Sequence, residues 1–159
     1  MTETFHINMI AGRPMIHIKS EYAPIRALID TGANLPMFSG TFEELQNIFP
    51  DAVLMNNTVL IGGINSYAEY QLVNIPLFKI GNISFKQFKA AIWNKTNYEY
   101  EFLLSATLFE KTDLNIHFRE EELIIVSDRI EFGTMLVDVG TEVNGRVHKR
   151  LKVLTINNS

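Results

Sequence analysis

The sequence contains no cysteine, which excludes disulfide bonds and metal sites built from thiolates. It has no apolar run near the roughly 20 residues that cross a bilayer, and no basic, apolar leader follows Met1. Positive charge is not in excess, because the formal net charge is −4. This balance argues against nucleic acid or an anionic membrane as a partner. From these absences we expect a cytoplasmic protein that binds neither nucleic acid nor a membrane.

The sequence also lacks the common signatures of other enzyme classes. It contains no Gly-x-Ser-x-Gly elbow, no phosphate-binding glycine loop and no His-Glu-x-x-His pair. Its four histidines are scattered along the chain, so they do not form a ligand cluster. We therefore expect neither a cofactor nor a metal.

What is present indicates one mostly β domain with a substantial core. The chain has 159 residues, of which 47% are hydrophobic and 20% charged. Short alternating segments separated by turn residues are typical of antiparallel strands. Such segments cover residues 4–10, 15–19, 25–29, 58–73, 74–80, 83–93, 102–104, 113–118 and 122–126.

Helical signals are few. Thr41 and Glu44 have the spacing of a capping box, apolar residues then recur at helical spacing, and Pro50 follows. This pattern predicts a helix over residues 42–49. A brief helical turn is expected over residues 106–111, with Ser105 as its cap.

The most informative stretch is the one around Asp30. An apolar run ends abruptly in Asp30, Thr31 and Gly32, so a buried strand delivers a carboxylate into a tight turn. We expect Gly32 to allow a conformation or a close approach that a side chain would block. A carboxylate held at the edge of a core is a candidate catalytic group. The same tripeptide is also common in ordinary chain reversals, so both interpretations stay open on these residues alone.

A second feature is the glycine pair Gly62-Gly63 at the tip of a predicted hairpin. Glycine leaves the backbone loosely constrained, so this tip could close over a groove as a flap. The alternative is a simple tight turn.

Three stretches taken in order resemble the retropepsin-like aspartic proteases, the single-domain relatives of retroviral proteases. The resemblance spans about residues 5–126. It is carried by Leu28–Ala33, by Leu60–Ile64, and by Phe102–Phe109 followed by Leu114–Phe118.

The resemblance implies a single closed β-barrel of the acid-protease type with one or two short helices. Residues 1–126 would form this domain, and residues 127–159 would be a C-terminal β extension of unknown role. That extension could add strands to a dimer sheet, lie in the substrate groove, or form an extra structural hairpin, which is the preferred interpretation.

The resemblance also implies an aspartic endopeptidase that acts on a peptide or protein substrate. Such hydrolysis needs two adjacent carboxylates that share a proton, one to activate a water and one to protonate the leaving nitrogen. Leu136–Thr141 superficially repeats the Asp30 motif, but the 21 residues after Asp138 are too few for a second half-barrel. The second carboxylate would therefore come from Asp30 of another chain in a homodimer.

The residues carried over from the family motifs fall into two groups. The catalytic group is Asp30, Thr31 and Gly32. The predicted substrate-binding residues are Ala33, Asn34, Gly62, Gly63, Ile64, Leu103 and Leu104.

Two departures from the family pattern qualify these assignments. Ser105 and Ala106 stand where the family usually has Gly and often Arg, and Asn34 stands where retroviral members have the acid that pairs with that Arg. Because both halves of the ion pair are replaced together, we expect a rebuilt contact at this place. The alternative function is a catalytically inactive peptide-binding or dimerisation module.

Overall fold

The computed structural model describes residues 1–62, 67–97, 99–143 and 146–156. The strands are β1 (Thr2–His6), β2 (Asn8–Ile10), β3 (Arg13–Lys19), β4 (Pro24–Asp30), β5 (Met37–Ser39), β6 (Val53–Gly62), β7 (Tyr67–Ile80), β8 (Ile83–Trp93), β9 (Phe102–Ser105), β10 (Asp113–His117), β11 (Glu122–Val126), β12 (Glu131–Val143) and β13 (Arg146–Thr155). The helices are α1 (Phe42–Ile48) and a 3₁₀ helix (Ala106–Phe109). No helix in these described ranges is long and apolar enough to cross a membrane.

Five strands close into a barrel. β6, β7 and β8 follow one another as antiparallel neighbours, and β12 pairs with β13. The barrel closes because β13 pairs in parallel with β6 and β12 pairs in parallel with β8, with Phe132 opposite Phe85. The predicted mostly β, closed-barrel fold is confirmed. The hairpin β12–β13 belongs to the C-terminal extension, so this extension supplies two of the five barrel strands.

Side chains of the C-terminal extension and of the earlier barrel strands pack into one core. Phe78 and Phe88 stack with ring centroids 4.2 Å apart, and Phe85 lies 5.8 Å from Phe132 of β12. Phe132 and Leu151 are fully buried within the same hydrophobic cluster. The hairpin is therefore packed into the core as an integral layer.

One side chain of the extension also satisfies backbone groups of β8. Pro76 of β7 has no N–H to donate, and Gln87 opposite it has a φ of +56°. The carbonyl of Gln87 accepts hydrogen bonds from the hydroxyl of Thr134 at 2.5 Å and from the ammonium of Lys89 at 2.7 Å, and Thr134 is almost fully buried. An irregular point in the β7–β8 pairing is thus completed by β12.

The remaining strands come from both halves of the chain. β1, β11 and β10 form a separate three-stranded sheet, in which β10 and β11 confirm the strands predicted over residues 113–118 and 122–126. The strand predicted over residues 4–10 is interrupted at Ile7, because the Ile7 N–H donates to the Glu121 carbonyl at 2.9 Å. The chain changes sheets there, which divides the predicted strand into β1 and β2.

Helix α1 begins as predicted. The Thr41 hydroxyl accepts from the Glu44 N–H at 3.1 Å, and the Thr41 N–H donates back to the Glu44 carboxylate at 3.0 Å. The second helical turn is shorter than predicted, since the 3₁₀ helix ends at Phe109. Ser105 does not cap it, because its buried hydroxyl lies 2.6 Å from the hydroxyl of Thr107 and bonds there instead.

We predict that Phe132→Ala lowers the free energy of unfolding by about 3–5 kcal/mol, because it leaves a cavity beside Phe85. Met135→Ala on the same strand is the matched control. Met135 is 42% exposed, so its loss should cost less than about 0.5 kcal/mol. Urea unfolding of both variants measures the difference, and equal small losses would show that the extension is not part of the core.

Candidate active site

Asp30 lies where a buried strand meets the surface. Ala27, Leu28 and Ile29 of β4 are 0–2% exposed, whereas the Asp30 side chain is 21% exposed. β4 pairs with β9 in parallel, and Asp30 stands opposite Ser105. The expectation that a buried strand carries this carboxylate to the edge of the core is confirmed.

The Asp30 carboxylate closes the turn that follows it. Its Oδ1 accepts from the Gly32 N–H at 3.0 Å, and the Asp30 carbonyl accepts from the Ala33 N–H at 3.2 Å. One carboxylate oxygen is therefore used to shape the loop, and the other oxygen faces outward. The two interpretations of this motif are compatible. Oδ1 closes the turn, and Oδ2 is not used for that purpose.

The outward oxygen lies near Arg13, a residue that the sequence did not single out. Arg13 Nη1 is 3.6 Å from Asp30 Oδ2, and the arginine side chain is half exposed. Arg13 follows two residues with positive φ, Ala11 (+49°) and Gly12 (+78°), which turn the chain between β2 and β3. No short motif links positions 13 and 30, so only the fold reveals this contact.

The loop after Asp30 is open to solvent. Thr31, Gly32 and Asn34 are exposed and Ala33 is half-buried. The Thr31 hydroxyl makes no hydrogen bond within the part of the chain that the structure describes. These backbone and side-chain groups are available to a molecule outside the protomer.

Gly32 is not required by the conformation of the protomer. Its φ lies outside the left-handed region, and an added Cβ would meet Asp30 Oδ1 at 3.5 Å, an ordinary van der Waals contact. Of the two expected reasons for glycine at position 32, a special backbone conformation is not found in the single chain. Any close approach that demands glycine must come from outside it.

The main chain of Asn34 is held by two hydrogen bonds. Its carbonyl accepts from the Leu151 N–H at 2.9 Å and from the Thr107 hydroxyl at 3.4 Å. Thr107 is in turn bonded to Ser105. These bonds do not involve the Asn34 side chain, so the contact expected in place of the family's ion pair stays a prediction.

The remaining predicted residues divide by their exposure. Leu103 is half-buried, but Leu104 is completely buried in the core and offers no surface to a substrate, so it leaves the candidate site. Gly62 ends β6, opposite Tyr67 of β7, in the predicted hairpin. Gly63 and Ile64 lie outside the described residues.

Asp138 is not a second copy of the site. It lies within strand β12, and its carboxylate is 2.5 Å from the Lys149 ammonium on β13. Its side chain is 62% exposed, so it stands on the outer surface of the hairpin. The whole segment Leu136–Thr141 lies within this strand.

Two cavities lie elsewhere on the molecule. One of about 220 Å³ is formed by the turn between β3 and β4, the residues after α1, and β7, and the other surrounds Asp128 to Glu131. Neither includes a residue of the Asp30 loop. Among the described residues, no three His, Asp or Glu side chains are grouped closely enough to hold a metal ion.

Comparison with known proteins identifies the fold. No protein-family profile and no curated protein sequence matches this chain. Among solved structures, a retropepsin-like aspartic protease from Rickettsia conorii matches 80% of this chain and 94% of its own, with a TM-score of 0.54 and 18% identity. The chain has the retropepsin-like fold. At this identity the likeness concerns the fold alone.

We predict that Gly32→Ala changes the free energy of unfolding of the protomer by no more than about 0.5 kcal/mol, because the added methyl finds space. Gly40→Ala is the matched control. Gly40 has a φ of +144° and its added Cβ would lie 2.9 Å from the Phe38 ring, so we expect a loss of about 1–3 kcal/mol. Equal losses in urea unfolding at low protein concentration would show that the protomer itself requires Gly32.

Proposed function

We propose that this protein is an aspartic endopeptidase whose reaction centre is formed by the Asp30 carboxylates of two identical chains. The observation that carries the proposal is the placement of Asp30. It follows three buried residues of β4 in a retropepsin-like fold and enters a loop in which Thr31, Gly32 and Asn34 are exposed. This is where a catalytic carboxylate would combine a fixed position with access to substrate.

The requirement for a second chain follows from chemistry. One carboxylate must take a proton from water while another, protonated, polarises the peptide carbonyl and then protonates the leaving nitrogen. The Asp30 carboxylate has Arg13 and the Gly32 N–H as its neighbours, and Asp138 is held on the far strand by Lys149. A twofold axis through the exposed loop supplies the missing acid with the same geometry.

Two features of the loop support this arrangement. The Thr31 hydroxyl, which makes no hydrogen bond within the described residues, offers a bond to a partner loop, and Gly32 leaves room for a close approach that the single chain does not need. A shared proton offsets the repulsion between the two carboxylates, since carboxylates so close cannot both be ionised.

Substrate would lie across the loops in the groove between the two chains. The exposed backbone of Ala33 and Asn34 and the half-buried Leu103 are placed to line it, and the β6–β7 hairpin that begins at Gly62 would cover it. An extended peptide bound in this way is recognised mainly through its main chain.

We predict that Asp30→Asn lowers kcat/KM for a peptide substrate by about 10²–10⁴-fold, since the amide can neither take up nor donate the catalytic proton. The fold should persist, because the asparagine oxygen can still accept from the Gly32 N–H. Asp138→Asn is the matched control and should leave cleavage unchanged. Cleavage that survives Asp30→Asn would refute the proposed mechanism.

We predict that wild-type chains lose activity when they are mixed with Asp30→Asn chains and allowed to exchange. At tenfold excess of the variant, activity per wild-type chain should fall about tenfold, because nearly every wild-type chain then shares its centre with an amide. Sedimentation should give twice the 18.2 kDa of one chain. Unchanged activity on mixing, or a fully active 18.2 kDa species, would refute the shared centre.

The second candidate is a peptide-binding or dimerisation module without catalysis. The Arg13–Asp30 contact favours it, because Arg13 lies beside the carboxylate oxygen that the second acid would have to approach. A screen for peptide cleavage from acidic to neutral pH distinguishes the two functions. A module would bind peptide without cutting it, and Asp30→Asn would leave its binding intact.

A further inference from the structure

The C-terminal hairpin touches the candidate catalytic loop directly. β13 runs past the loop, and the Leu151 N–H donates to the Asn34 carbonyl at 2.9 Å, four residues after Asp30. The Leu151 side chain is completely buried, so this strand position is fixed by the core. A surface loop is thereby attached to a residue that has little freedom to move.

The same carbonyl is also held from the other side. The Thr107 hydroxyl of the 3₁₀ helix lies 3.4 Å from it, and the buried Ser105 hydroxyl lies 2.6 Å from Thr107. Ser105 is the residue that pairs with Asp30 across β4 and β9. The contacts therefore form a circuit from Asp30 through Ser105 and Thr107 to Asn34, at the end of the loop that Asp30 begins.

An ion pair joins the two elements that hold the carbonyl. Arg150, next to Leu151 on β13, pairs with Glu110, which follows the 3₁₀ helix directly. Both side chains are about one-third exposed, at 32% and 30%. Two residues before Arg150, His148 of β13 pairs with Leu60 of β6, close to Gly62 where β6 ends. One strand thus contacts the loop, the 3₁₀ helix and the hairpin strand.

We propose that β13 positions the catalytic loop, with Leu151 and the Arg150–Glu110 pair holding the Asn34 end so that Asp30 keeps its orientation. Arg150 and Glu110 act through the loop and touch no substrate, so they are positioning residues. The proposal rests on the proposed function for its catalytic consequence. Its structural consequence, a loop held by the extension, stands independently of catalysis.

Deleting the extension cannot test this, because Phe132 and Leu151 belong to the core and their loss would unfold the barrel. Charge reversal at the rim of the contact is suitable. Arg150→Glu places two acids side by side and should push β13 away from the 3₁₀ helix. Lys149→Glu is the matched control, since it makes the same charge change on the adjacent residue but affects only Asp138 of β12.

The experiment uses the full-length protein and two measurements. Amide hydrogen exchange in residues 28–35 should be about tenfold faster in Arg150→Glu than in the wild type, and unchanged in Lys149→Glu. In the wild type, cleavage of a peptide should have a kcat about tenfold higher than in Arg150→Glu, with KM nearly the same. The swapped pair Glu110→Arg with Arg150→Glu should restore both values.

The outcomes separate the two proposals. If loop exchange is faster in Arg150→Glu but the wild type cleaves no peptide, the proposed function is overturned and the positioning by β13 is upheld. An active wild type whose kcat and loop exchange are unaffected by Arg150→Glu would overturn the positioning role. The positioning role would also be overturned if Lys149→Glu had the same effects, or if the swapped pair failed to restore exchange. The change in net charge, and not the loss of the Arg150–Glu110 pair, would then be the cause.

Discussion

The structure depends on the boundary at Asp30, where three buried residues of β4 are followed directly by a charged side chain. Burial of Ala27 to Ile29 fixes the backbone to the last residue before the carboxylate, and the Gly32 N–H then fixes one of its oxygens. An ionised group tolerates such a place only with partners. Arg13 supplies one partner from the same chain, and the proposed dimer supplies another through a shared proton.

Precise placement of this carboxylate requires that both ends of its loop be fixed. The first end is fixed by pairing with β9, and the second is fixed at Asn34 by hydrogen bonds from the 3₁₀ helix and from β13. Both donors are uncharged, so the loop end is held without the cost of desolvating an ion pair. The C-terminal hairpin consequently supplies two barrel strands and also holds one end of the loop.

Local patterns in the sequence predicted much of the fold. Alternating residues gave the strands, Thr41 and Glu44 gave the start of α1, and the strand that carries Asp30 followed from its apolar run. Contacts between distant residues could not be predicted in this way. Arg13 reaches Asp30 because the antiparallel register of β3 and β4, with Met15 opposite Leu28, brings the start of β3 to the end of β4, and Leu151 reaches Asn34 because the barrel closes through the extension. The burial of Leu104 likewise depends on neighbours far along the sequence.

The most direct test of the account is the distance between the two Asp30 carboxylates in a crystal structure of the protein assembled in solution. Two chains that share one reaction centre should place these carboxylates about 3 Å apart, close enough to hold a common proton. Carboxylates that lie far apart, or that face separate surfaces of the assembly, would contradict the account.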